Sequence, residues 1–590
     1  MERSLIPSKR SIFHWISARV DRARWLLNGS MNRGVLVCVI VILTVGSPRA
    51  QTVISREPYY ESAVDSNRIA INWGTNKPDT SEILWGLTSA YELGRASTLL
   101  DTSHAFSLTE LNPATTYYVK LRTRSDSVTF FTSTASDFRS TGEVQVYFNR
   151  SIDSTWTPPF LLAHGNSDYL GLLRNRIAHA KYTIDVAVYS FSGFIADSVT
   201  YWLVQAQARG LSVRLIADSS SVANSAAYKR LKASGVPTII NSFGNNHDVA
   251  SNIHHNKFII IDGRAGDGST TWLLTGSWNL SANQTTIDYQ NILYIQDLAL
   301  ARAYTREFNE EWGSVGDIPD TRYAKFSTHK TDNTPRSFNI KGIRAHLYFS
   351  PNGGAFAAIN SVLQRAEEQV LFSVFSFTRQ EFAQALIKDH QAGVDIHGII
   401  DNTDKYEQTA PLQAAGIDVL SYSGSDTVLF HHKYAIIDAG KSSTQVITGS
   451  YNWSNSAENS NNENTLIIAS PLISNAYFEE WSARYKENGG VQKVLAPQLV
   501  VLPSSPEEMS IALSPNPSRG VTSVYWKQKH FGRVRVGVWD VIGRVRAFEE
   551  FDQAPGKARL ALPEFIAPGI YQICVEHDGT KEFSKLVVPR

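Results

Sequence analysis

One pattern runs through the middle of this chain twice, and that repetition limits the fold more than any other feature of its 590 residues. Each copy opens on a Tyr-Phe strand, Val146-Tyr147-Phe148 and Leu347-Tyr348-Phe349. A helical stretch leads to an apolar strand, Val186 to Phe191 in the first copy and Phe372 to Phe377 in the second. An amphipathic helix then ends at a glycine, and Gly210-Leu211-Ser212-Val213-Arg214-Leu215-Ile216 answers to Gly393-Val394-Asp395-Ile396-His397-Gly398-Ile399. Each copy closes on a Glu-Glu-Trp helix, Glu310-Glu311-Trp312 and Glu479-Glu480-Trp481, whose tryptophans are read as core. Strands alternating with helices imply an α/β layer fold built twice. The repeats occupy 142–314 and 343–490, with 315–342, rich in Asp, Thr, Asn and Pro, as the connector.

Both repeats carry the pattern H-x-K-x4-D: His255, Lys257 and Asp262 in the first, His431, Lys433 and Asp438 in the second. One match in a chain this long arises by chance about a few times in a hundred. Two matches at the same place in two repeats do not. The agreement continues through Gly276-Ser277-Trp278-Asn279 and Gly449-Ser450-Tyr451-Asn452, and each glycine lies 15 residues before an asparagine, Asn291 or Asn464. Phe258 to Ile261 is a continuous β-branched and aromatic run, so the motif sits on a strand. Period-two alternation puts His255 and Lys257 on one face and Asn256 on the other, and treats His431 and Lys433 alike.

His254 and His432 face away and are read as core or rim. Zinc is disfavoured, because the next residue on the same strand face is a lysine and no cysteine is near. No metal or other cofactor is expected. Asp262 and Asp438 lie beyond an apolar run and are read as fixing the loop after the strand. Tyr189, Ser190, Phe375 and Ser376 are assigned to core packing, with the cleft as the alternative.

From 142 to 490 these paired motifs resemble the phospholipase D superfamily. The resemblance implies two halves about a pseudo-twofold axis, with both His-Lys pairs in one cleft that cleaves phosphodiesters. Lys257, Lys433, Asn279 and Asn452 then bind the non-bridging oxygens and stabilise the transition state. One histidine attacks phosphorus to form a phosphohistidine. The other protonates the leaving alkoxide and later activates water. Superfamily members commonly carry a carboxylate before the motif asparagine; here Glu463 precedes Asn464, but Gln290 precedes Asn291. The expected pairing is within each repeat. Glu463 would hold His431 as the acid/base, and Gln290 would leave His255 neutral as the nucleophile. Asp288 is an alternative source of charge, and reversed roles are the alternative assignment.

The flanks read as β-structure. Residues 52–140 alternate in short runs between turn residues, and Leu111 to Val119 resembles the tyrosine-corner strand of fibronectin type III domains, with Trp73 as the core tryptophan. Residues 506–590 resemble the C-terminal sorting domain of type IX secretion cargo, through Ser514-Pro515-Asn516-Pro517, Trp539 to Arg544, Gly569-Ile570-Tyr571 and Lys585 to Val588. The apolar run Val35 to Val45 after Arg33 reads as a signal segment within 1–50, with Met31 as the start. The reading is a secreted or cell-surface bacterial protein, using the outer-membrane secretion machinery as a partner. Its two cysteines, Cys38 and Cys574, cannot form a disulfide framework.

Composition bears on the substrate. At 43% hydrophobic and 19% charged residues the chain is globular rather than disordered. Over 141–490 it has 27 Lys and Arg against 33 Asp and Glu, a net of −6. An enzyme that tracks a polyanion usually shows a basic footprint, so phospholipid is favoured over DNA or RNA. An alternative of another class is a surface adhesin whose catalytic domain is inactive; the intact His-Lys pairs argue against it.

Overall fold

The computed structural model describes residues 52–491, apart from 56–59, 157–162, 243–251, 402–406, 423, 425–426 and 442, together with residue 494 and strands between Ala512 and Val588. The signal segment, Pro515-Asn516-Pro517 and Val541 to Arg544 lie outside the described residues.

The alternating runs at the N-terminal end form two four-stranded sheets. Ile69–Asp79 is central to one and Thr116–Arg122 to the other. Their inward residues, Ile69, Ile71, Trp73, Ile83, Tyr117, Val119 and Leu121, make a shared core. Trp73 Nε1 donates to Ser81 Oγ at 2.9 Å, and the Asn112 N–H donates to Tyr117 Oη at 2.8 Å. Beyond 511 the described residues are again strands in two sheets, around Val524, Trp526, Val536 and Ile573.

Between these flanks lie two α/β halves of the same topology. The first contains β1 (Val144–Phe148), β2 (Thr183–Val188), β3 (Ser212–Ala217), β4 (Thr238–Ile240), β5 (Lys257–Ile261), β6 (Trp272–Gly276) and β7 (Asn291–Ile295), in the order β4-β3-β2-β5-β6-β7-β1. The second contains β8 (Ser337–Ile340), β9 (Ile343–Ser350), β10 (Gln369–Val374), β11 (Asp395–Asp401), β12 (Asp418–Tyr422), β13 (Lys433–Ile437), β14 (Gln445–Gly449) and β15 (Glu463–Ala469). Its order, β12-β11-β10-β13-β14-β15-β9-β8, repeats the first with one strand added. In each half three parallel strands are continued by antiparallel ones, four in the first half and five in the second, and the motif strand is where the direction changes. The added strand β8 falls inside the expected connector, where Phe338 and Ile340 alternate inward.

Each half closes on a long helix, α1 (Leu298–Trp312) or α2 (Pro471–Glu487). Asp297 caps α1 by accepting the Leu300 N–H, Gly313 ends it at φ +78°, and α2 starts with Ser470 as cap and Pro471 in its first turn. Trp312 and Trp481 are buried. The helices also cross-link the halves: Tyr304 on α1 packs 5.1 Å from Phe349, and Tyr477 on α2 packs 5.4 Å from Phe148. Burying such rings contributes about 1.5–3 kcal/mol each, so the interface between halves is continuous core.

The motif asparagines pin the same interface. Asn464 Oδ1 accepts from Thr275 Oγ1 at 2.8 Å and Tyr304 Oη at 3.2 Å, across the boundary. Asn291 Nδ2 donates to Thr448 Oγ1 at 3.1 Å and Tyr477 Oη at 3.0 Å, the mirror arrangement. The motif glycines make room for it: at φ +150° and +137°, a Cβ on Gly276 or Gly449 would strike the carbonyl of Asn291 or Asn464.

Candidate active site

The segment leading into each motif strand is held from two sides. Asp218, at the end of β3, accepts the His254 N–H at 2.8 Å; Asp401, at the end of β11, accepts the Phe430 N–H at 2.7 Å. The other contacts come from the opposite half. The His255 N–H donates to Asn462 O at 3.0 Å and the Asn462 N–H to Ile253 O at 3.0 Å. In mirror fashion, the His431 N–H donates to Tyr289 O at 3.1 Å and the Tyr289 N–H to Leu429 O at 2.9 Å. Each motif histidine is therefore seated on a loop of the other repeat.

That exchange corrects the expected pairing. Glu463 does not hold His431: its carboxylate lies 2.7 and 2.9 Å from Nδ1 of His255. A carboxylate only accepts, so Nδ1 carries the hydrogen and the Nε2 lone pair is left for chemistry. His431 Nδ1 instead donates to Gln290 Oε1 at 3.1 Å. The physical reason is the seating just described: Asn462 and Tyr289 bind the opposite strand, so the residue after each is delivered to the opposite histidine. Asp288 Oδ1 accepts the Leu429 N–H at 2.9 Å, and burial pushes its carboxyl up.

Ser277 Oγ donates to Gln290 Oε1 at 2.6 Å and Ser450 Oγ to Glu463 Oε2 at 2.8 Å. Each serine also accepts the N–H of the following motif asparagine at 3.0 Å. The serine of each Gly-Ser-x-Asn segment thus fixes the partner of a histidine. Asn279 accepts the Ser190 N–H at 3.2 Å and donates to Gln284 Oε1 at 2.9 Å. Asn452 Oδ1 is buried with no hydrogen-bond partner among the described residues.

Lys257 Nζ donates to the carbonyl of His255 at 2.7 Å, and Lys433 Nζ to that of His431 at 2.9 Å. Tyr189 and Phe375 are not plain core: both are half-buried, and their rings stand 5.2 Å from His255 and 4.9 Å from His431. The same rings lie 5.5 Å from Lys257 Nζ and 4.7 Å from Lys433 Nζ. Asp262 and Asp438 lie away from this chemistry. Asp262 accepts the backbone N–H groups of Lys181, Tyr182 and Thr183, and Asp438 those of Glu367, Glu368 and Gln369. His254 lies 3.4 Å from Glu311, while His432 sits between Asn291 and Glu480. Among the described residues no three His, Cys, Asp or Glu side chains group to hold a metal ion.

The site has too much positive charge for its burial. Burial pushes Lys257 down to about 7 and Lys433 well below its usual range, the neighbouring Lys257 adding to the second shift. Burial lowers His255 to about 4, with the lysines adding to the shift and Glu463 opposing it. His431 is driven well below the ordinary imidazole value by burial, then by Lys433 and Lys257. An anion between the lysines would oppose every one of these shifts, though not the burial that leads them. Depressed lysines and histidines crowded in one place mark a binding site for a negatively charged group.

Comparison with known proteins identifies the doubled domain. The family model described as "Cardiolipin synthase, PLD-like domain" matches residues 173–312 and 359–485, one match per half. The chain is 34% identical over 136 residues to the mitochondrial cardiolipin hydrolase of Xenopus tropicalis, 22% of this chain and 62% of that protein. It is 32% identical over 145 residues to phospholipase D of Rickettsia typhi, 24% of this chain and 67% of that one. A solved phospholipase D family member, Nuc from Salmonella typhimurium, is 25% identical with a TM-score of 0.23, covering 26% of this chain and 99% of its own.

Proposed function

Because the chain belongs to the phospholipase D superfamily, we propose that it hydrolyses phospholipid head groups through a covalent phosphohistidine, with His255 as nucleophile. The observation that carries the reading is the crossed pairing of His255 with Glu463 and His431 with Gln290, beside Lys257 and Lys433.

In this scheme Lys257, Lys433, Asn279 and Asn452 take the non-bridging oxygens of the diester. Nε2 of His255 attacks phosphorus while His431 gives its proton to the departing alkoxide. Glu463 compensates the positive charge that grows on the attacking imidazole. Water then attacks the phosphohistidine, passing its proton to His431, and phosphate monoester and free His255 result. Support for a lipid substrate comes from the net charge of −6 over 141–490 and from relatives named for cardiolipin and phospholipid hydrolysis. Export rests on the apolar run Val35 to Val45 and the resemblance of the C-terminal strands to a secretion address. Cell fractionation with and without residues 506–590 tests it.

Side-by-side assays of the purified chain on phosphatidylcholine and cardiolipin vesicles and on plasmid DNA test the substrate. Release of head group with DNA left intact is expected. Cleaved DNA with inert vesicles would replace the lipid reading by the nuclease one.

A further inference from the structure

The Glu-Glu-Trp helix contributes more than its tryptophan. Glu311 is fully buried on α1, and its Oε1 accepts the side-chain amides of Asn462 at 2.5 Å and Asn256 at 3.2 Å. Asn256 follows His255 in the chain, and Asn462 precedes Glu463. One oxygen atom therefore grips the neighbour of each member of the His255–Glu463 pair, one from each half. Asn464, on the far side of Glu463, adds a bond from its Nδ2 to Asn256 Oδ1 at 3.1 Å. On the other histidine the arrangement differs. Glu480 meets His432 Nε2 at 3.1 Å, but the residue before Gln290 is Tyr289, whose hydroxyl reaches Glu487 at 3.5 Å instead.

The two amide bonds are strongest to an ionised carboxylate, and an ionised carboxylate this deeply buried needs a counter-ion. Burial pushes Glu311 up, and the Lys330 ammonium is the strongest influence against it. Lys330 comes from the segment joining the halves, yet it is buried. Its Nζ pairs with Glu307, stands 3.8 Å from Glu311 Oε1 and donates to Ser350 O at 2.9 Å. His254, 3.4 Å from the other oxygen of Glu311, is kept neutral by burial and then by Lys330, so it does not replace that cation.

We propose that Glu311 and Lys330 are positioning residues for the His255–Glu463 pair: Glu311 clamps Asn256 and Asn462 across the two halves, and Lys330 is the counter-ion of the clamp. The assignment rests on the phosphodiesterase reading for its effect on turnover, though not for its geometry. Glu311→Gln keeps an acceptor oxygen that needs no counter-ion; Glu311→Leu keeps the volume and removes the acceptor. Kinetics on a soluble aryl phosphodiester and crystal structures of both variants test the clamp.

Glu311→Leu should lower kcat by about 10²-fold with KM nearly unchanged, while Glu311→Gln stays within about threefold of wild type. In the Leu variant the 2.7 Å contact of His255 with Glu463 should open beyond about 3.5 Å. Lys330→Met should lower kcat, and adding Glu311→Gln should return it toward wild type. If Lys330→Met does not fold, the two Glu311 variants decide. A Leu variant with the contact intact and wild-type kcat, or a Gln variant as impaired as the Leu one, would overturn the proposal. A wild-type enzyme inert on every diester would end the catalytic reading, and the crystal structures would still decide the clamp.

Discussion

Glu463 belongs to the second repeat, yet it receives its shortest histidine hydrogen bond, 2.7 Å, from His255 of the first. The carboxylate is fully buried and is also held by Ser450 Oγ at 2.8 Å. The two imidazoles therefore differ in electrostatic support: His255 has an anion behind it, and His431 has the amide of Gln290. A histidine that becomes cationic on attacking phosphorus gains most from the anion. His255 is again proposed as the nucleophile, for a reason opposite to the one the repeat spacing suggests.

Replacing Glu463 by Gln should therefore act on His255. The amide still accepts the Nδ1 hydrogen, so the tautomer is kept, but the charge is gone. We expect kcat to fall by about 10²-fold, the scale of one lost electrostatic partner in a buried site. Because Glu463 raises the His255 pKa, its removal moves the acid limb of the kcat/KM profile to lower pH. A shift confined to the alkaline limb would return Glu463 to His431.

The pH profile of the wild-type enzyme follows from the burial of the two histidines and then from the lysines beside them. His255 must be neutral to attack, so activity rises as pH climbs through its value of about 4. His431 must be protonated to act as acid, and its depressed pKa puts the alkaline limb of kcat/KM below the ordinary imidazole value of about 6.5. A bound phosphodiester anion offsets Lys257 and Lys433. The alkaline limb of kcat should accordingly lie at higher pH than that of kcat/KM. Coincident limbs would show that the substrate does not neutralise the lysine pair.

Asp262 should matter for stability rather than chemistry. It sits at φ +55° and accepts three backbone N–H groups. Alanine there strands those donors and strains the backbone, at a combined cost of about 3–5 kcal/mol. Asparagine tolerates the left-handed backbone and keeps one oxygen, so it should cost less. Thermal unfolding of the two variants measures the difference, and equal midpoints would contradict the role.

In the proposed scheme lysines and amides supply the positive field at phosphorus, so turnover of a soluble diester should persist after chelation. Activity lost to chelator and restored by one divalent ion would contradict this. A calcium effect seen on vesicles alone would not.

The doubled fold was legible because it is written in local periodicity. Phe258 to Ile261 and Tyr434 to Ile437 can only be strands of two matching sheets, and both sheets have the same order. The crossed pairing was not legible, since spacing within a repeat carries no information about how two repeats dock. Glu463 lies 32 residues after His431 in the chain, but Asn462 delivers it to the other half. Asp218 and Asp401 could have been found by extending the repeat alignment two residues past Ile216 and Ile399. Ser277 and Ser450 stood inside a motif already noticed for its asparagines. Lys330 left no local signal, being one of several cations in a polar connector and set apart from them by its burial.

The central claim is that His255 attacks phosphorus in a site shared by both halves. The most direct measurement is the position of the phosphate adduct in enzyme quenched during turnover of a diester with a good leaving group. The His431→Ala variant is run in parallel, because such a group departs without an acid and the adduct then accumulates for want of a base. The account predicts label on the peptide containing His255 in both enzymes, longer-lived in the variant, and none in His255→Ala. Label on the peptide containing His431 in the wild-type enzyme would contradict it, as would near-normal turnover by His255→Ala.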